Sequence, residues 1–425
     1  MPNDSMPLQE LPGLGPGPGP GPHGSIWSQS RGNKRKSRGP LSAGPDTECT
    51  PTELIQQWSP RPKHPRSLSR GKENDDGPFV LGRRSRRRKE SPSVVSWDQL
   101  PDELLLRILL QLPLQDLLRV SAVCRRWQRL ALDESLWTSV DLEGLTHTGP
   151  ALQQVLKTGV RRLRCPRAFV EEFHFTGSSS LQIVQMDLSS SIMSPSALHS
   201  VLRHCSLLEC LSLEGLQLSD DIISCLSRNS LLLQLNLSGC SGFSAPALAD
   251  MLRWCSSIDQ LNISWCDFTN DHVKSVVNNV SPGVTHLNLS GYRESLTLDD
   301  VKVLVERCPH IQTLDLSDST QLTADSFPVL KQLKALLHLS LSRCYHIHLA
   351  ALCDLGTVFS ALCLLDVFGL VQDTHLSSLK TEMPHVSINI EPFSRVARPT
   401  PASRSVGCPG DGAMWNRKCR LRVQL

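Results

Sequence analysis

In this chain of 425 residues the side chains with chemistry to offer are suited to binding rather than to reaction. Six fall just after copies of a short recurring apolar motif: Trp265, Tyr292, Arg293, Asp318, Arg343 and Tyr345. Aromatic rings beside arginines are typical anchor points of protein interfaces, and these two tyrosines are the only ones in the chain. Arg293, Asp318 and Arg343 come from three consecutive units. With strands about 4.8 Å apart they would form a plus–minus–plus row along one rim, although Arg293 sits two positions later in its unit. As charges alone they could equally be an exposed ion-pair row worth about 0–1 kcal/mol. The exposed Trp and Tyr beside them favour a site for another protein.

Reaction chemistry has little support. No phosphate-cradling G-x-x-x-x-G-K-[ST] string and no G-x-S-x-G elbow occurs. The 14 histidines lack a paired helical spacing, and none of the 15 cysteines forms a C-x-x-C pair. Cys240, Cys266 and Cys344 recur three residues after the motif, and Cys205, Cys255 and Cys308 recur at helix ends, as buried filler of a repeat would. The expectation is a non-catalytic chain with no metal and no cofactor.

Net charge is +3, unevenly spread. Residues 1–90 hold 16 Lys and Arg against 9 Asp and Glu, and the remainder holds 28 against 32. A basic tail on a mildly acidic body is therefore expected, and binding of nucleic acid by the folded part is not. No stretch is apolar enough to span a membrane, and the first residues lack a secretory pattern, which points to a chain with reduced thiols inside the cell. Residues 1–93 read as a disordered, basic, Gly/Pro-rich regulatory tail, because alternating Gly and Pro can form neither helix nor ladder. Three signals lie in it: basic runs with Lys34, Arg35, Lys36 and Arg86, Arg87, Arg88, a proline-directed phosphorylation candidate at Ser59, and the string Lys72-Glu73-Asn74.

The elements that must position the binding residues repeat along the chain. An apolar-x-apolar motif ends at Leu142, Cys165, Leu188, Leu213, Leu237, Ile263, Leu289, Leu316, Leu341, Val367 and Ile390, at intervals of 23 to 27 residues. Copies such as LLLQLNLSGC and LLHLSLSRC match the leucine-rich repeat, in which a short strand lines a concave face and a helix covers the convex side. The fold expected for residues 141–390 is an α/β repeat solenoid, a horseshoe of about ten units. Residues 391–425 lose the period. They form a C-terminal tail whose alternating end, KCRLRVQL, could pack back on the concave face.

Residues 94–140 precede the array as a small all-α module. Its sequence WDQLPDELLLRILLQLPLQDLLRVSAVCRRWQRLALDESLW holds more Leu and Trp than so small a unit can enclose, so part of that surface should face another protein. This block resembles an F-box, and the order of block then repeats resembles the F-box/leucine-rich-repeat family. The resemblance implies a substrate-recognition subunit of an SCF-type, cullin–RING ubiquitin ligase, working at the G1/S transition. It further implies a Skp-type adaptor contact through Trp97, Leu100, Pro101, Leu104, Ile108, Leu112, Pro113, Leu117, Val120, Val123 and Trp127. Through the adaptor come cullin and RING subunit; the repeats would take a Cks accessory protein and a phosphorylated Kip-type inhibitor, with cyclin A and its kinase as a further partner. In that setting the basic runs are import signals, Lys72-Glu73-Asn74 is a KEN-type degron, and the location is nucleus and cytoplasm. The competing reading is a nuclear repeat scaffold that binds nucleic acid through the basic tail.

Overall fold

A computed structural model of the chain describes residues 97–144, 148–170, 173–177, 179–399 and 421–422. A short helical turn, Trp97–Gln99, leads into helices α1 (Asp102–Leu109), α2 (Leu114–Ser121) and α3 (Arg125–Ala131). Pro101 and Pro113 stand extended immediately before α1 and α2, where a fixed φ suits a helix entrance and no N–H is missed. Leu105, Leu109, Leu114, Leu117, Leu118 and Leu130 are buried between these helices. Trp137 is buried where the module meets the array, its Nε1 donating to Ala131 O at 2.7 Å.

The array follows as β1 (Ser139–Asp141), α4 (Thr148–Leu156), β2 (Arg162–Arg164), β3 (Gln185–Asp187), α5 (Pro195–Leu202), β4 (Cys210–Ser212) and α6 (Asp220–Leu226). It continues through β5 (Gln234–Asn236), α7 (Ala245–Trp254), β6 (Gln260–Asn262), α8 (Asn270–Asn279), β7 (His286–Asn288) and α9 (Leu298–Arg307). The last units are β8 (Thr313–Asp315), α10 (Phe327–Leu330), β9 (His338–Ser340), α11 (Leu349–Cys353), α12 (Leu355–Val358), β10 (Leu364–Asp366), α13 (Asp373–Glu382) and β11 (Ser387–Ile388). Each strand pairs in parallel with the next, and β12 (Leu421–Arg422) pairs in parallel with the outer side of β1. The strands have two or three residues, so the sheet exists only by stacking. A buried side chain such as Leu235 or Leu237 contributes roughly 1.5–3 kcal/mol. Ordering some 25 residues of backbone costs about 1–2 kcal/mol each, which no single unit can offset. The periodic apolar residues fill the core as expected except the last, Ile390, which is exposed because no further unit covers it.

Two side-chain ladders fix the turns after many of the strands. Asn236, Asn262 and Asn288 each accept, through Oδ1, the backbone N–H two residues on, at 3.0, 3.1 and 2.9 Å. Asp141, Asp187 and Asp315 do the same for Glu143, Ser189 and Ser317. In the second ladder, Cys240 and Cys266 Sγ each lie 3.1 Å from the carbonyl oxygen of the preceding unit's motif residue, Leu237 O and Leu213 O in turn for Cys266 and Cys240, and Cys344 Sγ lies 3.4 Å from Leu316 O. Burial pushes these thiols up, Cys266 to about 11 and Cys344 to about 12, so they are inert filler at neutral pH.

Asp315 stands where three preceding units carry Asn, and burial raises its carboxyl above the ordinary value. A raised folded-state pKa means its contribution to stability is complete below the unfolded-chain value and is lost as pH rises through the folded value. Asp315→Asn keeps the turn acceptor and removes that loss. It should raise the melting midpoint at pH 7 by about 2 °C and leave it nearly unchanged at pH 3, measured by calorimetry at both values.

Candidate functional site

The helical module exposes several large apolar side chains, and the origin of this is visible in α1. Leu105 and Leu109 point inward, while Leu104 and Ile108, one residue earlier in each turn, face outward and are exposed. Trp97, 53% exposed, and Val123, 64% exposed in the α2–α3 turn, are further exposed apolar side chains of the module. Pro101 is exposed, and Leu100, Leu112, Pro113, Val120 and Trp127 are half-buried, Leu100, Leu112 and Val120 packing against the core. Leu117 is a correction: it is fully buried, because it shares the inward stripe of α2 with Leu114 and Leu118.

Polar contacts hold this part of the module in shape. Trp97 and Trp127 meet edge-to-face at 5.6 Å. Arg126 donates Nε to Asp102 Oδ1 at 2.8 Å, and its Nη groups reach the carbonyls of Leu100, Asp98 and Trp97. Arg129 adds a second ion pair to Asp102. The hydrogen bond from Arg126 holds the Asp102 carboxyl below its ordinary value. Arg126→Ala should therefore release residues 97–100, costing about 1–2 kcal/mol of local order. Amide hydrogen exchange of that segment should accelerate while exchange in the repeats stays unchanged.

The second surface is built on a backbone feature that ten units share. The residue two positions after each of the first ten motifs has positive φ: Gly144, Arg167, Ser190, Gly215, Gly239, Trp265, Gly291, Asp318, Arg343 and Gly369. Glycine adopts this conformation freely, whereas other residues are strained by about 1–2 kcal/mol. Strained, exposed or charged residues concentrate from Trp265 to Arg343. Trp265 is 49% exposed, and its ring lies across Gly291. Arg343 brings its guanidinium carbon to 5.9 Å from the Trp265 ring. Its Nε is 2.8 Å and 3.0 Å from the two carboxylate oxygens of buried Asp318, and its stem rests on Gly369. The result is a flat aromatic–cation platform.

Two expectations for this rim are corrected. Tyr292 is only 4% exposed: it occupies the position of Cys266 and Cys344 in its unit, its hydroxyl donates to Ile263 O, and its ring stacks on Phe268 at 5.3 Å. The three-charge row is also incomplete. Asp318 and Arg343 pair, but Arg293 lies two residues beyond the left-handed position and makes no side-chain hydrogen bond or ion pair among the described residues. Arg293 is exposed on the outer rim, as is Tyr345, which has the same place in its own unit.

Residues 391–425 are the tail expected to return to the concave face; residues 396–398 lie on it, whereas the alternating end pairs at the sheet edge as β12. After β11 the chain runs back over the strands. Asn262 Nδ2 donates to Val396 O at 3.1 Å, and Arg398 makes a two-point ion pair with Glu214 at 2.9 and 3.1 Å. On β9 and β10, His338 Nε2 lies 2.7 Å from Asp366 Oδ2. Lys34, Arg35, Lys36, Ser59, Lys72, Glu73, Asn74, Arg86, Arg87 and Arg88 lie outside the described residues. Among the described residues no group of His, Cys, Asp and Glu is arranged to hold a metal, and no helix is long and apolar enough to cross a membrane.

Gly291 is the keystone of the platform. An added Cβ would sit 2.7 Å from the Trp265 ring, at a φ of +97°. Gly291→Ala should lift Trp265 off the rim, red-shifting its fluorescence and destabilising the array by about 1–2 kcal/mol in urea unfolding.

Comparison with known proteins matches both parts of the chain. Residues 97–143 match the family model described as F-box-like, and residues 150–422, well over half of the chain, match the model described as SKP2 LRR domain. F-box/LRR-repeat protein 23 of Arabidopsis thaliana is 25% identical over 232 residues, covering 52% of this chain and 47% of its own. F-box/LRR-repeat protein 12 of Homo sapiens is 33% identical over 143 residues, covering 33% of this chain and 40% of its own. The match thus spans less than half the length of either relative. The solved Rad7 and Elc1 complex of yeast aligns with 60% of this chain and 77% of its own at 15% identity and a TM-score of 0.40. A helical module matched by one model and a repeat array matched by the other, in that order, place this chain in the F-box/leucine-rich-repeat family.

Proposed function

We propose that the chain is the substrate-recognition subunit of an SCF-type ubiquitin ligase. Members of the F-box/leucine-rich-repeat family are typically such receptors rather than enzymes. The observation that carries the reading is the exposure of the apolar side chains Trp97, Leu104, Ile108 and Val123 on a module matched as F-box-like. Apolar surface of that kind is costly in water and gains when a partner covers it. In this reading a Skp-type adaptor covers it, linking the receptor to cullin and RING subunit. Buried Trp137 joins the module to the array, so a protein held on the repeats is carried at a defined place relative to the adaptor. Catalysis is by proximity, through a raised local concentration of substrate lysine near the charged enzyme.

Within the family, strings such as LSLEGLQLSD, LNLSGCSGFS and LSLSRCY resemble the vertebrate S-phase kinase-associated protein two. That likeness supports a Cks accessory protein and a phosphorylated Kip-type inhibitor as cargo at the G1/S transition, with degradation by the proteasome as the outcome. The Trp265–Arg343 platform with Arg293 and Tyr345 is the surface assigned to them, the unpaired Arg293 suiting an acidic or phosphorylated group. Cyclin A with its kinase is a further partner of the same reading. The basic runs around Arg35 and Arg87 serve import to the nucleus, Ser59 is a phosphorylation site, and Lys72-Glu73-Asn74 marks the chain for its own turnover.

Affinity purification of the full chain from dividing cells tests the assignment, with adaptor, cullin and Cks protein expected together. Val123→Asp should lower adaptor affinity at least 100-fold, since it places a charge in a covered apolar face. Trp265→Ala should remove the Cks protein and keep the adaptor. Adaptor retained by Val123→Asp would refute the reading.

A further inference from the structure

Two carboxylates placed two strands apart occur twice on the concave face. At one end Asp141, Arg164 and Asp187 are register neighbours on β1, β2 and β3. Arg164 is buried, with Nη1 at 2.9 and 3.1 Å from the Asp141 oxygens and Nε at 3.7 Å from Asp187, and Glu143 completes its surroundings. At the other end Asp315, Ser340 and Asp366 hold the same positions on β8, β9 and β10. Where the first set has a guanidinium, the second has the hydroxyl of Ser340.

The second set is left short of donors. Asp366 is 3% exposed; its Oδ2 meets His338, but its buried Oδ1 has no hydrogen-bond partner among the described residues. A buried acceptor left in that state costs about 1–3 kcal/mol. The turn N–H it would hold by the pattern of the other units, Phe368 N, goes instead to Ser342 Oγ at 3.1 Å. Asp315 does serve its turn, a task that Asn performs equally at positions 236, 262 and 288. The charge on both residues is thus not required by the fold. Half-buried His286 on β7 and His338 on β9 border the pair, and burial pushes the His286 pKa down, so it adds little positive charge.

We propose that Asp315 and Asp366 form a receptor for the guanidinium of an arginine on the protein lying in the horseshoe, the group taking the place above Ser340 that Arg164 takes above β2. His338, the more exposed member, turns from Asp366 to admit it. The site deepens the receptor reading and rests on it for the source of the arginine; the binding chemistry itself can be tested without adaptor or cargo.

The probe is n-butylguanidinium, titrated into the full chain while the His338 ring is followed by NMR, with n-butylammonium and neutral n-butylurea as controls. Saturable shifts with the guanidinium, at least fivefold weaker response to the ammonium and none to the urea are expected. Asp366→Asn should weaken the probe about tenfold or more, the loss of one charge-assisted contact. Ser340→Arg should supply the missing group from β9, raise the melting midpoint and abolish probe binding; if that variant does not fold, Asp366→Asn decides. Equal response to butylurea, or an Asp366→Asn variant that binds as well as the parent, would overturn the site. Equal response to the ammonium would overturn its assignment to arginine. A chain that takes the guanidinium but no adaptor would keep this site and sink the ligase reading instead.

Discussion

A parallel strand of three residues cannot hold itself: its few N–H and C=O groups must be met on both sides, and the apolar side chains of its motif must be covered by a neighbour. Everything else in the array follows from that need. Ten units turn through a left-handed residue shortly after the strand, in six an Asn or Asp closes the turn, and in four a Cys or Tyr ties it to the unit before. The same need makes the ends special. The helical module and β12 cover the first edge, whereas the last unit is short and leaves Ile390 in water.

Periodicity also turns deviations into signals. A turn position that glycine fills without strain is occupied by Trp265, Asp318 and Arg343 in one neighbourhood, with Gly291 and Gly369 vacating the space their side chains use. A ladder position that Asn fills without charge is occupied by Asp315 and Asp366. Local rules are broken there without a structural gain, which is where function is expected to reside. The array therefore serves as its own control: each unit states what the fold requires, and the odd residue states what is left over.

Much of this was legible in the sequence. The 23-to-27-residue spacing located the strands to within two residues, and the excess of Leu and Trp in residues 97–137 pointed to an uncovered face. Tyr292 was misread because its rarity drew more weight than its register; three residues after Leu289, it holds the place that marked the cysteines as buried. Leu117 was misplaced for a related reason: a helix leucine-rich on several sides does not declare which stripe faces inward until its partner helix is known. Arg293 showed its offset in the sequence, and that offset decided its isolation. The Asp366–His338 contact joins residues 28 apart on neighbouring strands, and no local pattern announces which oxygen will lack a donor.

The account stands on the outer face of α1 and the α2–α3 turn being a surface that another protein covers. Hydrogen–deuterium exchange on the full chain, with and without a Skp-type adaptor, reads this directly. Protection confined to residues 97–108 and 120–127, with the repeats unchanged, is the predicted footprint. An adaptor that leaves those segments exchanging as in the free chain, or that protects the repeats instead, would contradict it.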